Sequence, residues 1–221
     1  MKRLGLRGAV MALGLAFSCE GAVAGVLFEQ APGPNTFSAS ISSTINNFLV
    51  PPSYRSADNF TLAAGGTIAT VEWWGYSNAG ADAFDITFYQ GGAVPGAVLS
   101  TQSVTPTVAS GVTGSPFDSQ AKLYSATLTT SFVASAATSY WVSVYNGAAD
   151  ASWLWLGADA QSDGGRLTEL PATTWAFTTS DFGFRLSDSA APVPEPGSML
   201  LLLGALGGMA ALRRRKTEHA S

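Results

Sequence analysis

The chain has one cysteine and one histidine in 221 residues, and neither stands in its central part. Cys19 lies near the N-terminus and His219 near the C-terminus. Between Gly25 and Pro196 there is no thiol, no imidazole and no disulfide. These absences exclude Ser-His-Asp and Cys-His nucleophilic centres from that stretch. They also exclude zinc sites built on His or Cys, and haem or iron–sulfur ligation by those residues. Stability there must come from packing, unless a metal contributes. Charge is scarce as well: charged residues are 12% of the chain and apolar residues 47%. A chain so poor in charge, and well supplied with aromatics, does not read as disordered. Helix-favouring Lys and Glu are few, whereas Gly (24 residues), Ser and Thr are plentiful. That balance suits short strands joined by tight turns.

The few basic residues cluster at the ends: Lys2, Arg3 and Arg7, then Arg213, Arg214, Arg215 and Lys216. Between Gly25 and Pro196 only Arg55, Lys122, Arg166 and Arg185 remain, against 13 acidic residues, for a net charge of -9. A surface that acidic repels phosphate backbones, so no nucleic-acid partner is expected. It tolerates neutral glycans and attracts divalent cations.

Both ends read as addresses. Residues 1–24 have a positive start, a short apolar run from Gly8 to Phe17, and small residues at Ala22 and Ala24. That is the pattern of a secretory signal peptide, with cleavage expected after Ala24. At the other end, residues 189–196 form a Pro-rich linker that closes on Pro194-Glu195-Pro196, stiff and extended because each proline fixes φ. Residues 197–212 are uncharged and mostly apolar, and residues 213–221 form a basic tail. As a helix the apolar segment spans about 24 Å, short of the ~30 Å hydrocarbon core. Snorkelling of Arg213, Arg214, Arg215 and Lys216 and local thinning of the bilayer make up the difference. The basic stop stays cytoplasmic, which places residues 25–188 outside.

These three parts in this order resemble the PEP-CTERM sorting signal of exopolysaccharide-producing Gram-negative bacteria. The resemblance covers only about the last thirty residues. It implies an exosortase as processing partner and a transient membrane anchor through the C-terminal helix. Delivery to the outer surface or extracellular matrix would follow. It makes Pro194, Glu195 and Pro196 recognition residues rather than catalytic ones.

Residues 25–188 are expected to form one all-β ectodomain. Period-two or β-rich stretches are Ile68 to Tyr76, Ala83 to Gln90, Lys122 to Leu128, Ser139 to Tyr145, Ser152 to Leu156 and Phe182 to Leu186. Asn59 to Leu62 and Val98 to Val104 are weaker. Turn signals such as Gly65-Gly66, Asn78-Ala79-Gly80, Pro95-Gly96 and Asn146-Gly147 separate them. Thr107 to Gln120 lacks a period and reads as a long loop. No helical window is long enough to cross between parallel strands. The expectation is therefore an antiparallel β-sandwich of jelly-roll type. The order of segments, from Asp58-Asn59-Phe60-Thr61-Leu62 through Val71-Glu72-Trp73-Trp74-Gly75 to Trp153-Leu154-Trp155, resembles the uncharacterised β domains common in proteins with this tail. It supports the fold and carries no activity with it.

Two constellations stand out. Trp73 and Trp74 are adjacent in a strand and must point to opposite faces, while Trp153 and Trp155 share one. With Trp141 they are the candidates for glycan binding, since an outward aromatic face stacks on a sugar ring. Trp175, Tyr76 and Tyr89 add to the set. The competing role is core filling, because six tryptophans need burial. Asp58, Asp82, Asp85, Asp150, Asp159, Asp163 and Asp181 lie mostly near turns. They either cap those turns or offer oxygen ligands to a structural calcium ion. No carboxylate pair is singled out for glycoside hydrolysis. The sequence thus reads as an exported, non-enzymatic surface or exopolysaccharide-matrix protein without a cofactor. The alternative is a carbohydrate-binding module.

Overall fold

Phe84, Ile86 and Phe88 alternate with Asp85, Thr87 and Tyr89, and that period of two makes a strand with one face turned to a core. The computed structural model describes residues 24–33, 38–44, 53–79, 82–110, 121–149, 151–159 and 164–189. Among them are thirteen strands and no helix. They are β1 (Val26–Gln30), β2 (Ala39–Ile41), β3 (Tyr54–Thr61), β4 (Gly66–Ala79), β5 (Phe84–Gln90), β6 (Val98–Val104) and β7 (Thr107–Ser110). After these come β8 (Lys122–Ala134), β9 (Ser139–Asn146), β10 (Ser152–Leu156), β11 (Arg166–Glu169), β12 (Ala176–Phe177) and β13 (Phe184–Ser187).

Two antiparallel sheets result. One runs β12-β11-β3-β9-β5-β6. The other runs β1-β13-β4-β10-β2, with β8 also on β4 and β7 beyond it. β4 is long enough to hold β13 and β10 one after the other. β13 pairs with Thr70 to Trp73, and β10 with Gly75 to Ala79. The facing sides meet ring against ring. Trp73 lies 5.1 Å from Phe84, Phe84 5.2 Å from Trp153, and Phe88 4.2 Å from Phe132. Those contacts make the two sheets a β-sandwich. Each buried tryptophan removes enough apolar area from water to contribute on the order of 4 kcal/mol.

A carboxylate lies inside this core. Asp58 is fully buried in β3. Its Oδ2 accepts hydrogen bonds from Gln30 Nε2 at 2.7 Å and from the Phe182 backbone N–H. Its Oδ1 accepts one from the Asn59 N–H at 2.8 Å. The carboxylate therefore ties β3 to the start of β1's partner segment in the other sheet.

Several elements differ from the sequence expectation. β3 starts at Tyr54, earlier than Asn59, and β8 continues to Ala134. Thr107–Ser110 is a strand rather than the start of a loop, because β8 supplies its hydrogen-bond ladder. An edge strand needs no apolar alternation of its own. β1, β2, β11 and β12 are strands of two to five residues that carry too few positions to show a period. Asp58 sits inside a strand and not on a turn. The expected signal peptide over residues 1–24, apart from Ala24, the Pro194-Glu195-Pro196 motif, the apolar segment 197–212 and the basic stop Arg213, Arg214, Arg215 and Lys216 lie outside the described residues. Among the described residues no helix is long and apolar enough to cross a membrane.

Candidate functional site

The tryptophans expected to bind glycans are core residues. Trp73, Trp153 and Trp155 are 0% exposed and belong to the main core. Trp74, on the opposite face of β4, is 6% exposed; it packs in a smaller cluster with Ala121 and Leu156, and the Arg185 guanidinium lies 5.5 Å from its ring. Trp141 is 1% exposed and forms a third cluster with Ala57, Tyr89 and Trp175. The physical reason is area: an indole face left in water forfeits its burial, and here loops and cations cover both faces of the sandwich. None of the five presents a free face for a sugar. The expectation of outward stacking from these residues is corrected accordingly.

The third cluster marks the outer face of the six-stranded sheet. In β9, Val142 and Val144 point to the core, so Trp141, Ser143 and Tyr145 point outward. The register sets Ala57 beside Ser143, Tyr89 beside Trp141, Arg166 beside Ala57 and Thr168 beside Arg55. Arg166 is a clamp on this face. Its guanidinium lies 5.2 Å from the Trp141 ring and 5.0 Å from the Phe177 ring. It donates to the carbonyls of Ala93, Gly164 and Gly165, with its Nη2 2.9 Å from the Ala93 oxygen. Trp141 Nε1 donates to the Gly92 carbonyl at 3.1 Å. Together they press the turn after β5 onto the sheet. Gly91 permits that approach, since a Cβ there would sit 2.1 Å from the Ser139 oxygen.

Beside the clamp lies a groove of about 390 Å³, lined among others by Arg55, Tyr89, Pro95, Thr168, Pro171 and Trp175. One wall is the segment after β11, held by the Leu170 N–H donating to the Ser53 carbonyl at 2.8 Å and by Thr168 Oγ1 donating to Ala172 at 3.2 Å. Trp175 is half-buried and meets Tyr89 edge to face at 5.8 Å. Arg55 forms the floor. Its guanidinium stands 4.8 Å from the Tyr145 ring, and its Nη1 donates to the Tyr89 hydroxyl at a long 3.4 Å. Its Nε is buried without a hydrogen-bond partner. Burial pushes the Tyr145 phenol up, against the pull of a hydrogen bond with Ser53 and of the Arg55 charge. No carboxylate lines the groove among the described residues. The ion pairs given by the described residues are those of Arg185, with Glu29 at 2.5 Å and Glu72 at 2.9 Å, in the other sheet. The arrangement combines a cation lacking an anion with aromatic and hydroxyl walls, which is chemistry for binding.

A second concavity, about 380 Å³, is lined by Asp82, Phe84, Asp85, Ser103, Thr105 and Gly147, among others. Asp85 accepts from Ser103 Oγ at 2.6 Å, and Asp82 accepts from Asn146 Nδ2 at 3.0 Å. Burial raises the Asp82 pKa, while Lys122 and the Asn146 hydrogen bond oppose the rise. Asp58 and Asp181 are buried, and Asp159 lies in the segment after β10. Asp150 and Asp163 lie outside the described residues. Among the described residues no three of His, Cys, Asp and Glu stand close enough together to hold a metal ion.

The sequence reading missed Arg55, Thr168 and Pro171. The one signal for Arg55 was its rarity, as one of four cations in an acidic domain. No curated protein and no solved structure matches the chain. Residues 192–216 match the PEP-CTERM protein-sorting motif. The chain therefore carries a sorting signal that implies export, transient anchoring at a membrane and processing by an exosortase.

Proposed function

We propose that this protein is an exported, non-enzymatic component of the outer surface or exopolysaccharide matrix of a Gram-negative cell, delivered there by its Pro-Glu-Pro tail. The sorting motif over residues 192–216 carries the reading. On this reading residues 197–212 hold the chain in the inner membrane as a helix. Arg213, Arg214, Arg215 and Lys216 stay inside, and the exosortase acts near Pro194, Glu195 and Pro196. The ectodomain has no His and no Cys, which supports a structural or adhesive role over nucleophilic catalysis. Successive strands switch between the two sheets, β3 to β4 to β5 and β8 to β9 to β10, which supports the jelly-roll form of the sandwich.

The test is the intact mass of the protein from its native host, taken separately from membranes and from the medium. A mass that starts at Gly25 and ends near Pro196, found outside the cell, is the expected result. A mass that still includes Arg213 to Ser221, found only in membranes, would sink the proposal.

A further inference from the structure

We propose that the groove between Arg55 and Trp175 binds a carboxylate-bearing sugar, a hexuronate residue of an acidic saccharide. This goes beyond the sorting reading and does not depend on how the chain is processed.

A guanidinium carries five N–H donors in a planar fork that matches a carboxylate. The donors of Arg166 are taken by three backbone carbonyls, and Arg185 is held by two glutamates. Arg55 has one long bond to a phenol, a buried Nε without a partner, and no carboxylate. Two aromatic rings, Tyr145 and Tyr89, hold it in place. A fixed, half-buried cation facing an open groove is a site that an anion completes, because the cost of orienting it is already met by the fold.

The walls decide what bears that anion. Tyr89 is buried and meets Trp175 edge to face, so the half-buried indole of Trp175 is the wall that suits the C–H face of a pyranose. Thr173, exposed on the rim of the groove, offers its hydroxyl to those of a sugar. The volume, about 390 Å³, has room for roughly two sugar rings. At the groove a hexuronate ring presents one negative charge and a phosphomonoester close to two, so residues 25–196, with a net charge of -9, repel the phosphate more strongly.

The experiment is titration calorimetry on the full chain in a zwitterionic, sugar-free detergent. The probes are trigalacturonate, its methyl ester and acetate. Trigalacturonate should bind, and the ester should bind at least ten-fold more weakly. Arg55→Gln should remove that difference, and Arg55→Lys should restore only part of it, since an ammonium lacks the fork. Trp175→Ala, on the outer segment after β11, should weaken acid and ester alike. Near-UV circular dichroism establishes that each variant keeps its packed core. No binding of trigalacturonate by the unaltered chain would overturn the proposal. Equal binding of acid and ester would overturn the role of the carboxylate. Displacement by an equal concentration of acetate would overturn the role of the sugar, and binding indifferent to both Arg55→Gln and Trp175→Ala would overturn the location. The mass measurement above is unaffected by any of these outcomes.

Discussion

Replacing Asp58 by alanine should cost the sandwich about 3 kcal/mol. The carboxylate is fully buried and accepts from Gln30 Nε2, the Phe182 N–H and the Asn59 N–H. Gln30 keeps a second acceptor, the Phe182 carbonyl at 2.8 Å, so its loss is small. The Phe182 N–H is stranded in the core, which costs roughly 1–3 kcal/mol, and the space left by the carboxylate adds about 1 kcal/mol more. Against this, the variant no longer has to desolvate a carboxylate. The balance is between about a fifth and three fifths of the ~5–15 kcal/mol that holds a domain of this kind together. At ~2–4 °C per kcal/mol, the melting temperature should fall by roughly 6–12 °C. Asp58→Asn should fall between, because an amide keeps one acceptor and turns a donor toward one of the N–H groups. Urea unfolding followed by tryptophan fluorescence reads the change, since Trp155 stacks on Phe182 at 5.0 Å beside the carboxylate. A loss under about 1 kcal/mol for both variants would refute the reasoning. So would an Asn variant less stable than the Ala variant, which would mean that desolvation outweighs the bonds.

Three further outcomes follow from the same geometry. Gly75→Ala should destabilise by about 3 kcal/mol in urea melts, because its Cβ would sit 2.4 Å from the Trp153 ring and 2.5 Å from the Leu154 carbonyl, and the backbone cannot yield. Burial first, and the Asp82 charge second, hold the Tyr124 phenol far above a tyrosine's ordinary 10.0, with Trp153 opposing. The unfolded chain loses that proton near pH 10 while the folded one keeps it, so this contribution is intact below pH 10 and is lost as pH rises. The slope is about 1.4 kcal/mol per unit; urea melts at pH 10 and 11 should show it, and Tyr124→Phe should flatten it. Arg185→Met should cost about 1 kcal/mol at low salt and less in 1 M salt, since both of its ion pairs are partly exposed; thermal melts at the two salt concentrations check this.

The fold was legible where a strand shows both of its faces in sequence. In β5 and β9 the core positions Phe84, Ile86, Phe88, Val142 and Val144 alternate with a second set, and the structure turns them to opposite sides. β7, β11 and β12 were illegible because their positions are set by partners: β8 orders Thr107–Ser110, and β3 orders Arg166–Glu169. Asp58 was misplaced for the same reason. Its strand begins at Tyr54, where the residues Arg55 and Ser56 give no apolar alternation. Periodicity also tells which residues share a face without telling what covers that face. Trp141 points away from the core between the sheets, as its register requires, and is still 1% exposed because Arg166 and the turn after β5 lie over it.

Abundance and rarity therefore carried different information. Tryptophan is frequent here, and an abundant apolar residue is drawn first to cores, so the five candidates were consumed by packing. Cations are rare in residues 25–196, and a rare charged side chain has to be accounted for one residue at a time. Arg185 meets Glu29 and Glu72, Arg166 meets three carbonyls, and Lys122 lies near enough to Asp82 to oppose the rise that burial gives its pKa. Arg55 has one ring face, a distant phenol and an open groove. A guanidinium is costly to hold half-buried without an anion. A fold that keeps one so, in a domain with acid to spare, has left the place of that anion to a ligand.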